Sequence, residues 1–404
     1  MRIICIRICR LYNALQLHYF LVLEPTMKHF KPRIPSIFAT IALSVSASAL
    51  AVTDEEFKAL QEQMNQLADA IESQPSSSAK QVHIGGYGEL HYNNLEKPNG
   101  EEFKELDFHR FVLFFGYDFS DSIRFHSELE LEHSIAGDGQ NGEIELEQAY
   151  IEFDLTENME TKAGLFLVPV GIINETHEPT TFYGVERNPI ERNIIPTTWW
   201  EGGAALTGRF GGSGVSYDLA ITSGLDGGTD IRGGRQKVSE ATANDLAYTG
   251  RLKYTGLPGL ELAGTAQYQA DMTQSSNPTV NDATLLSAHA IYNISQFQLR
   301  ALYASWDIDV TSNATAEDQA KDKQDGYYLE GSWKFVPSAG VFARYDVWDN
   351  GGVGDTEETQ TNLGINYWPH EGVVLKFDYQ KQDHGAVNAA SEQDGFNLGI
   401  GYAF

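Results

Sequence analysis

From Val82 onward, apolar and polar residues alternate with a period of two, the mark of strands that present one apolar and one polar face. The alternation is clear in "SIRFHSELEL" (Ile123, Phe125, Leu129, Leu131), "LAYTGRLKY" (Leu246, Tyr248, Leu252, Tyr254) and "QFQLRALY" (Phe297, Leu299, Ala301, Tyr303). It recurs in "YYLEGSWKF", "VFARYDV" and "VVLKFDY", and closes in "FNLGIGYAF" at Phe396–Phe404. Each run is close to the roughly 9–11 residues that a tilted strand needs to cross a bilayer.

The connections sort into two kinds. Tight turns are expected near Ser120-Asp121, Thr156-Glu157-Asn158, Gly211-Gly212-Ser213, Gly256-Leu257-Pro258-Gly259, Ser295-Gln296, Pro337-Ser338 and Pro369-His370-Glu371. Long polar stretches lie between them, near 94–104, 135–142, 168–200, 225–243, 272–281, 309–323, 349–358 and 381–394. Short turns at one end and long loops at the other are the outer-membrane barrel pattern. Seven turns and eight loops predict an all-β, transmembrane antiparallel barrel of about sixteen strands over residues 82–404. An unpaired strand edge in hydrocarbon costs several kcal/mol per backbone group, so the last strand is expected to pair with the first, around Val82–Asn93.

Before Val82 the period changes. Phe57, Leu60, Met64, Leu67 and Ile71 alternate spacings of three and four, which predicts a short coiled-coil helix over residues 52–74. Residues 75–81 then read as a linker, and the helix would hang into the periplasm. Residues 27–51 read as a secretory signal, with Lys28, Lys31 and Arg33 ahead of the apolar run Ile37–Val45 and small residues at Ala47, Ala49 and Ala51. Residues 1–26 read as a mis-assigned upstream start.

Composition narrows the function. Both cysteines, Cys5 and Cys9, fall in the leading segment, so an exported chain would have no disulfide, thiolate metal site or cysteine nucleophile. A formal charge of −28 argues against nucleic acid as a partner. With the apolar stripe facing lipid, the alternate residues face the lumen, and these include Arg110, Arg124, Glu128, Glu130, Arg209, Arg251, Arg300, Lys334, Arg344 and Lys376. An arginine on the lipid face at mid-bilayer would cost roughly 2–4 kcal/mol, so this sidedness is the favourable one and implies a wet interior.

Paired carboxylates at Glu128 and Glu130 raise glycoside hydrolysis, but such pairs follow from the polar period of a lumen wall, and no enzyme is expected. His126 beside them lacks a second nearby histidine, so no metal or other cofactor is assigned.

The longest loop, the third of the outer set, carries Ile172, Ile173, Phe182, Tyr183, Ile190, Ile194, Ile195, Trp199 and Trp200. Such a segment is too apolar to stand in solvent. It is expected to fold into the barrel, with Glu186, Arg187, Glu191 and Arg192 forming a constriction where close walls give charge its greatest effect.

The stretches "ELDFHRFVLFFGYDFSDSIRFHSELELEH", "IELEQAYIEFDLTENMETKAGLFLVPVGIINETHEP" and "NIIPTTWWEGG" resemble the phosphate-selective porin O and P family, over about residues 105–205. The predicted coiled coil resembles that of porins for sugars and dicarboxylates with a periplasmic extension. The resemblance implies a homotrimer of sixteen-stranded channels in the bacterial outer membrane, each passing small hydrophilic solutes by diffusion past the third loop. In phosphate-selective members a ladder of arginines lines the channel, and Arg110, Arg124, Arg209, Arg300 and Arg344 would form a partial one here. The outer loops are acidic at Asp355-Thr356-Glu357-Glu358 and Glu317-Asp318, which opposes phosphate at low salt.

The expectation is therefore an outer-membrane porin for small solutes, with anions such as phosphate or carboxylates as the leading class. The rivals are a sugar-permeable or general channel, a structural or adhesion barrel, and a secreted hydrolase. The expected partners are outer-membrane lipid and the barrel assembly machinery, which would read the final aromatic, Phe404.

Overall fold

In the computed structural model, the described residues are 81–404 with the exception of Asp138. The leading residues 1–26, the signal segment 27–51 and the heptad residues Phe57, Leu60, Met64, Leu67 and Ile71 lie outside the described residues, as does the linker up to residue 80.

Sixteen antiparallel strands follow in chain order. The first eight are β1 (Val82–Glu96), β2 (Glu102–Ser120), β3 (Ile123–Glu132), β4 (Ile144–Thr156), β5 (Met159–Leu167), β6 (Trp200–Arg209), β7 (Val215–Thr222) and β8 (Ala247–Tyr254). The rest are β9 (Leu260–Gln269), β10 (Val280–Ile294), β11 (Phe297–Val310), β12 (Lys323–Val336), β13 (Ala339–Asp349), β14 (Glu358–His370), β15 (Val373–His384) and β16 (Asp394–Ala403). Each pairs with its neighbours in sequence, and β1 pairs with β16 to close the barrel. Each of the seven predicted turns and eight predicted loops coincides with a connection between consecutive strands, with several bounds shifted by a few residues.

The closing seam runs from Tyr87 opposite Ala403 to Glu96 opposite Asp394. Past β16, Phe404 continues the ladder: its N–H donates to Gly86 O at 2.9 Å, and Gly86 N–H donates to Phe404 O at 3.0 Å. Closure leaves no strand edge unpaired in the hydrocarbon layer.

The sidedness matches the expected one. Leu299, Leu329, Leu363 and Leu398 remain largely exposed on the outside, while Arg344, Asp346, Asn362, Asp378 and Asn397 are buried inside. Aromatic groups gather near the short turns, as at Phe297 stacked on Trp333 at 5.9 Å and Phe210 beside Tyr217 at 5.3 Å. Rings at that level suit the lipid headgroup boundary.

Strand ends differ from the sequence reading. The first loop shrinks to 97–101, because β1 runs on to Glu96 and β2, 19 residues long, begins at Glu102. Strands of 15 and 19 residues exceed the roughly 9–11 that a tilted crossing needs, and beyond that length neither face meets lipid and alternation no longer marks a strand. For the same reason β15 continues to His384, into the stretch expected as loop.

Candidate functional site

The third outer loop, residues 168–199, turns into the barrel and is held there on opposite sides by different forces. Against β10–β13 the contact is apolar. Val168, Val170, Ile172, Ile190, Ile194, Ile195 and Trp199 pack with Leu285, Leu302, Trp306, Ile308, Tyr328 and Trp348, and with Leu225 and Met272 from the next two loops. Trp306 Nε1 donates to Ile194 O at 2.9 Å, and the Trp199 and Trp306 rings lie 6.2 Å apart. Each large side chain buried here stabilises the placement by about 1.5–3 kcal/mol relative to exposure.

Farther along, the loop crosses to β13–β16. Asp378 Oδ2 accepts Val185 N–H at 2.7 Å, Asn366 Nδ2 donates to Phe182 O at 3.2 Å, and Lys376 Nζ stands 3.7 Å from the centre of the Phe182 ring. Small residues suit this wall: a Cβ at Gly401 would fall 2.4 Å from Pro179 Cβ and force a shift, and one at Gly399 would fall 3.2 Å from Val185, a tight contact. The glycines of "FNLGIGYAF" thus make room for the loop on the inner face of the closing strand.

Polar pins complete the attachment. Glu186 reaches β1, taking His91 Nδ1 at 3.0 Å and Asn93 Nδ2 at 3.2 Å. Burial would raise its carboxyl, yet the facing imidazoles and the hydrogen bonds from His91 and Asn93 hold it well below the usual carboxylate range. Glu175 pairs with Arg251 on β8, and His177 lies between Glu128 and Glu147 on β3 and β4. Arg300 Nη2 donates to Thr181 O at 3.0 Å.

The predicted lumen residues do face inward, but most do not meet open water. Arg110, Glu128, Glu130, Arg251, Arg344 and Lys376 are all buried, because the loop fills the space they line. The expectation of a uniformly wet interior is corrected accordingly. Arg124, Arg209, Arg300 and Lys334 keep more exposure, and Arg300 and Lys334 line a cavity of about 640 Å3 near the short turns, together with Thr180, Gln298 and Ser332.

Nor is the arginine ladder a row of free cations. Of its members Arg110 pairs with Glu89, Arg124 with Glu152 and Asp154, and Arg344 with Asp346, while Arg209 is exposed; outside the ladder, Arg251 pairs with Asp218 and Glu175. Arg300 stands 4.0 Å from Glu330. Partners such as Asp346, two residues from Arg344 on one face, were visible as a strand pattern; Glu89 and Asp218 come from neighbouring strands and carried no such signal.

The four residues expected at the constriction separate. Glu191 is buried and accepts Ile172 N–H, Ile173 N–H, Asn188 Nδ2 and the Tyr328 hydroxyl, so it fastens the loop and does not face the channel. Glu186 pins the loop to β1. Arg187 and Arg192 remain, and two arginines of the fourth loop that the sequence reading passed over join them. Arg232 donates to Arg192 O at 2.9 Å and Thr197 O at 2.8 Å, Arg235 donates to Pro196 O at 3.1 Å and to Thr198 O, and Arg187 donates to Thr198 Oγ1 at 2.9 Å.

None of these four guanidiniums has a carboxylate partner among the described residues; three spend hydrogens on the neutral stretch Pro196–Thr198. Burial and the charges of Arg235 and Arg192 push the Arg232 guanidinium below its ordinary value. Two residues past Arg235, Lys237 ties the fourth loop to Glu143 at 2.7 Å and to Glu145 on the β4 wall. Sequence offered one weak signal, two arginines set among glycines in "GGTDIRGGRQK".

A closed sixteen-strand barrel narrowed by its third loop is the geometry of a channel, and residues 39–386 match the Gram-negative porin family. The chain belongs to the Gram-negative porins. It is an outer-membrane channel for passive diffusion and no enzyme. A relative from Aquifex aeolicus, an uncharacterised protein, is 31% identical over 347 residues, covering 76% of each chain. Among solved structures, this porin is similar in fold to the anion-selective porin from Comamonas acidovorans, with a TM-score of 0.58, 14% identity, and 80% of this chain and 99% of that one covered. It is also similar to in-vitro folded OmpT, an outer membrane protein of Vibrio cholerae, in a trimer form, with a TM-score of 0.52, 12% identity, and 80% and 99% covered.

Proposed function

We propose that this porin selects small anions at the junction of its third and fourth outer loops. The observation that carries the reading is the quartet Arg187, Arg192, Arg232 and Arg235, four permanent charges without carboxylate partners among the described residues. Inside a narrow, low-dielectric passage, uncompensated charge concentrates the field and favours the opposite sign in transit. Arg300 and Lys334 at the other mouth add positive charge along the way out.

Carboxylates are favoured over phosphate as the solute class. Of the wall arginines that would form a phosphate ladder, Arg110, Arg124 and Arg344 are paired with Glu89, Glu152 and Asp346, so a polyvalent oxyanion finds no continuous track of free guanidiniums. The assembly is proposed to be a homotrimer; a similar fold in trimer form supports it. Liposome swelling with the purified porin tests the solute class: small dicarboxylates should enter faster than phosphate, and both faster than neutral sugars of similar size. Equal rates for sugars and dicarboxylates would refute the anion reading, and a silent barrel would refute the open channel.

A further inference from the structure

We propose that Glu128, Glu147 and His177, with Glu130 beside them, bind a first-row divalent cation of the zinc type, which staples the third loop to the β3–β4 wall. His177 Nε2 is 3.3 Å from Glu128 Oε1 and 3.4 Å from Glu147 Oε2. Around a tetrahedral ion with bonds of about 2.0–2.1 Å, neighbouring donor atoms stand about 3.3 Å apart, so the His177 nitrogen already stands at that spacing from both carboxylate oxygens.

The surroundings orient those atoms. His177 Nδ1 lies 3.2 Å from Asn174 O, so the N–H at Nδ1 donates there and Nε2 is the ring atom turned to the carboxylates. A backbone carbonyl holding the second ring nitrogen is the usual support of a metal-bound histidine. Gln148 Nε2 donates to Glu128 Oε2 at 2.7 Å, and Oε1, which also accepts the Tyr87 hydroxyl at 3.4 Å, stands on the His177 side. Two buried oxygens, Glu147 Oε2 and Glu130 Oε2, have no hydrogen-bond partner. Each residue is about 2% exposed, and an orphaned buried carboxylate oxygen is costly unless something positive sits against it.

Charge points the same way. Glu89, Glu128, Glu130 and Glu147 are all buried in one layer, and the guanidinium that reaches it, Arg110, spends its Nε on Glu89. Like carboxylates taken out of water repel strongly, and a divalent ion removes that repulsion. One imidazole with carboxylate oxygens suits zinc or manganese; calcium would call for about 6–8 oxygens. His126, the histidine that sequence placed with the glutamates, lies beside Tyr150, its ring 5.2 Å away, with its Nε2 4.0 Å from Glu152. The loop histidine takes its place, so the ion would join wall and loop.

The inference does not rest on the ion selectivity of the channel, and its test reads metal alone. Full-length porin extracted in detergent is stripped with EDTA, loaded with ZnCl2 or CoCl2, passed through a desalting column and assayed for retained metal and visible absorption. About one zinc per chain should remain, and cobalt should give the intense bands of a four-coordinate site. Glu147→Gln and His177→Gln should weaken retention by about tenfold or more, whereas Glu152→Gln, in the separate carboxylate group with Asp154 and Glu160, should not. Heat-modifiable mobility shows that each variant has folded. The cobalt spectrum of the unaltered protein decides the matter even where a variant fails to insert. No retained metal, or equal loss in all three variants, would overturn the proposal.

Discussion

The two halves of the lumen wall hold the same loop by opposite means. Along β10–β13 the inward residues are Leu285, Leu302, Trp306, Tyr328 and Trp348, and the loop adheres to them as a protein core does. Along β1–β4 the inward residues are Glu89, His91, Arg110, Glu128 and Glu147, and the loop touches them through Glu186 and His177. The apolar half supplies placement energy, while the polar half supplies registration and leaves charge near the passage. A loop held only by charges would loosen with salt; one held only by apolar contact would leave its angle to the wall less defined.

The largest effect should follow from removing the apolar anchor. Trp306→Ala deletes a fully buried ring and its bond to Ile194, at a cost of about 3–5 kcal/mol to loop docking. The barrel should remain heat-modifiable while trypsin gains access at Arg187 and Arg192 and single-channel conductance rises. Unchanged protease protection would show that the polar half suffices.

A smaller effect is expected where the loop meets the closing strand. Gly401→Leu drives a side chain against Pro179 and should cost about 1–3 kcal/mol, read as altered conductance with normal insertion. Ile400→Leu, one position along on the lipid face, should leave conductance as it was.

The smallest effect concerns the pin at Glu186. Its carboxyl is held below the ordinary range, so the stabilisation is present above the unfolded value of about 4.3 and is lost as pH falls toward the folded value. Gating noise in the unaltered porin should therefore rise on acidification, and Glu186→Gln should show higher noise at neutral pH with less dependence on acid. A variant with the same pH profile as the parent would place the acid response elsewhere.

The barrel was legible because lipid and water impose opposite preferences on alternate residues for sixteen strands in succession. Val82–Asn93 could be named as the partner of Phe396–Phe404 for the same reason, since hydrocarbon tolerates no open edge. That the third loop turns inward was legible from Ile190, Ile194, Ile195 and Trp199. Its docking was not: nothing in the sequence pairs inward positions such as Leu302 and Trp306 with the loop, and only the folded loop shows what covers them. The placement of the loop's charged residues was only partly legible. Glu191 stands beside Arg192 in sequence, yet it bonds to the backbone of Ile172 and Ile173, whereas Arg232 and Arg235 arrive from another loop some forty residues on. No one-dimensional pattern relates residues brought together by two independent loops.

The central claim is that the arginines at the loop junction set the sign of the permeant ion. Reversal potentials across a planar bilayer in a salt gradient test it most directly, comparing the unaltered porin with the Arg187→Glu, Arg192→Glu double variant. The unaltered porin should give an anion-selective potential, and the variant should move it toward cations. A cation-selective parent, or a variant with an unmoved potential, would contradict it.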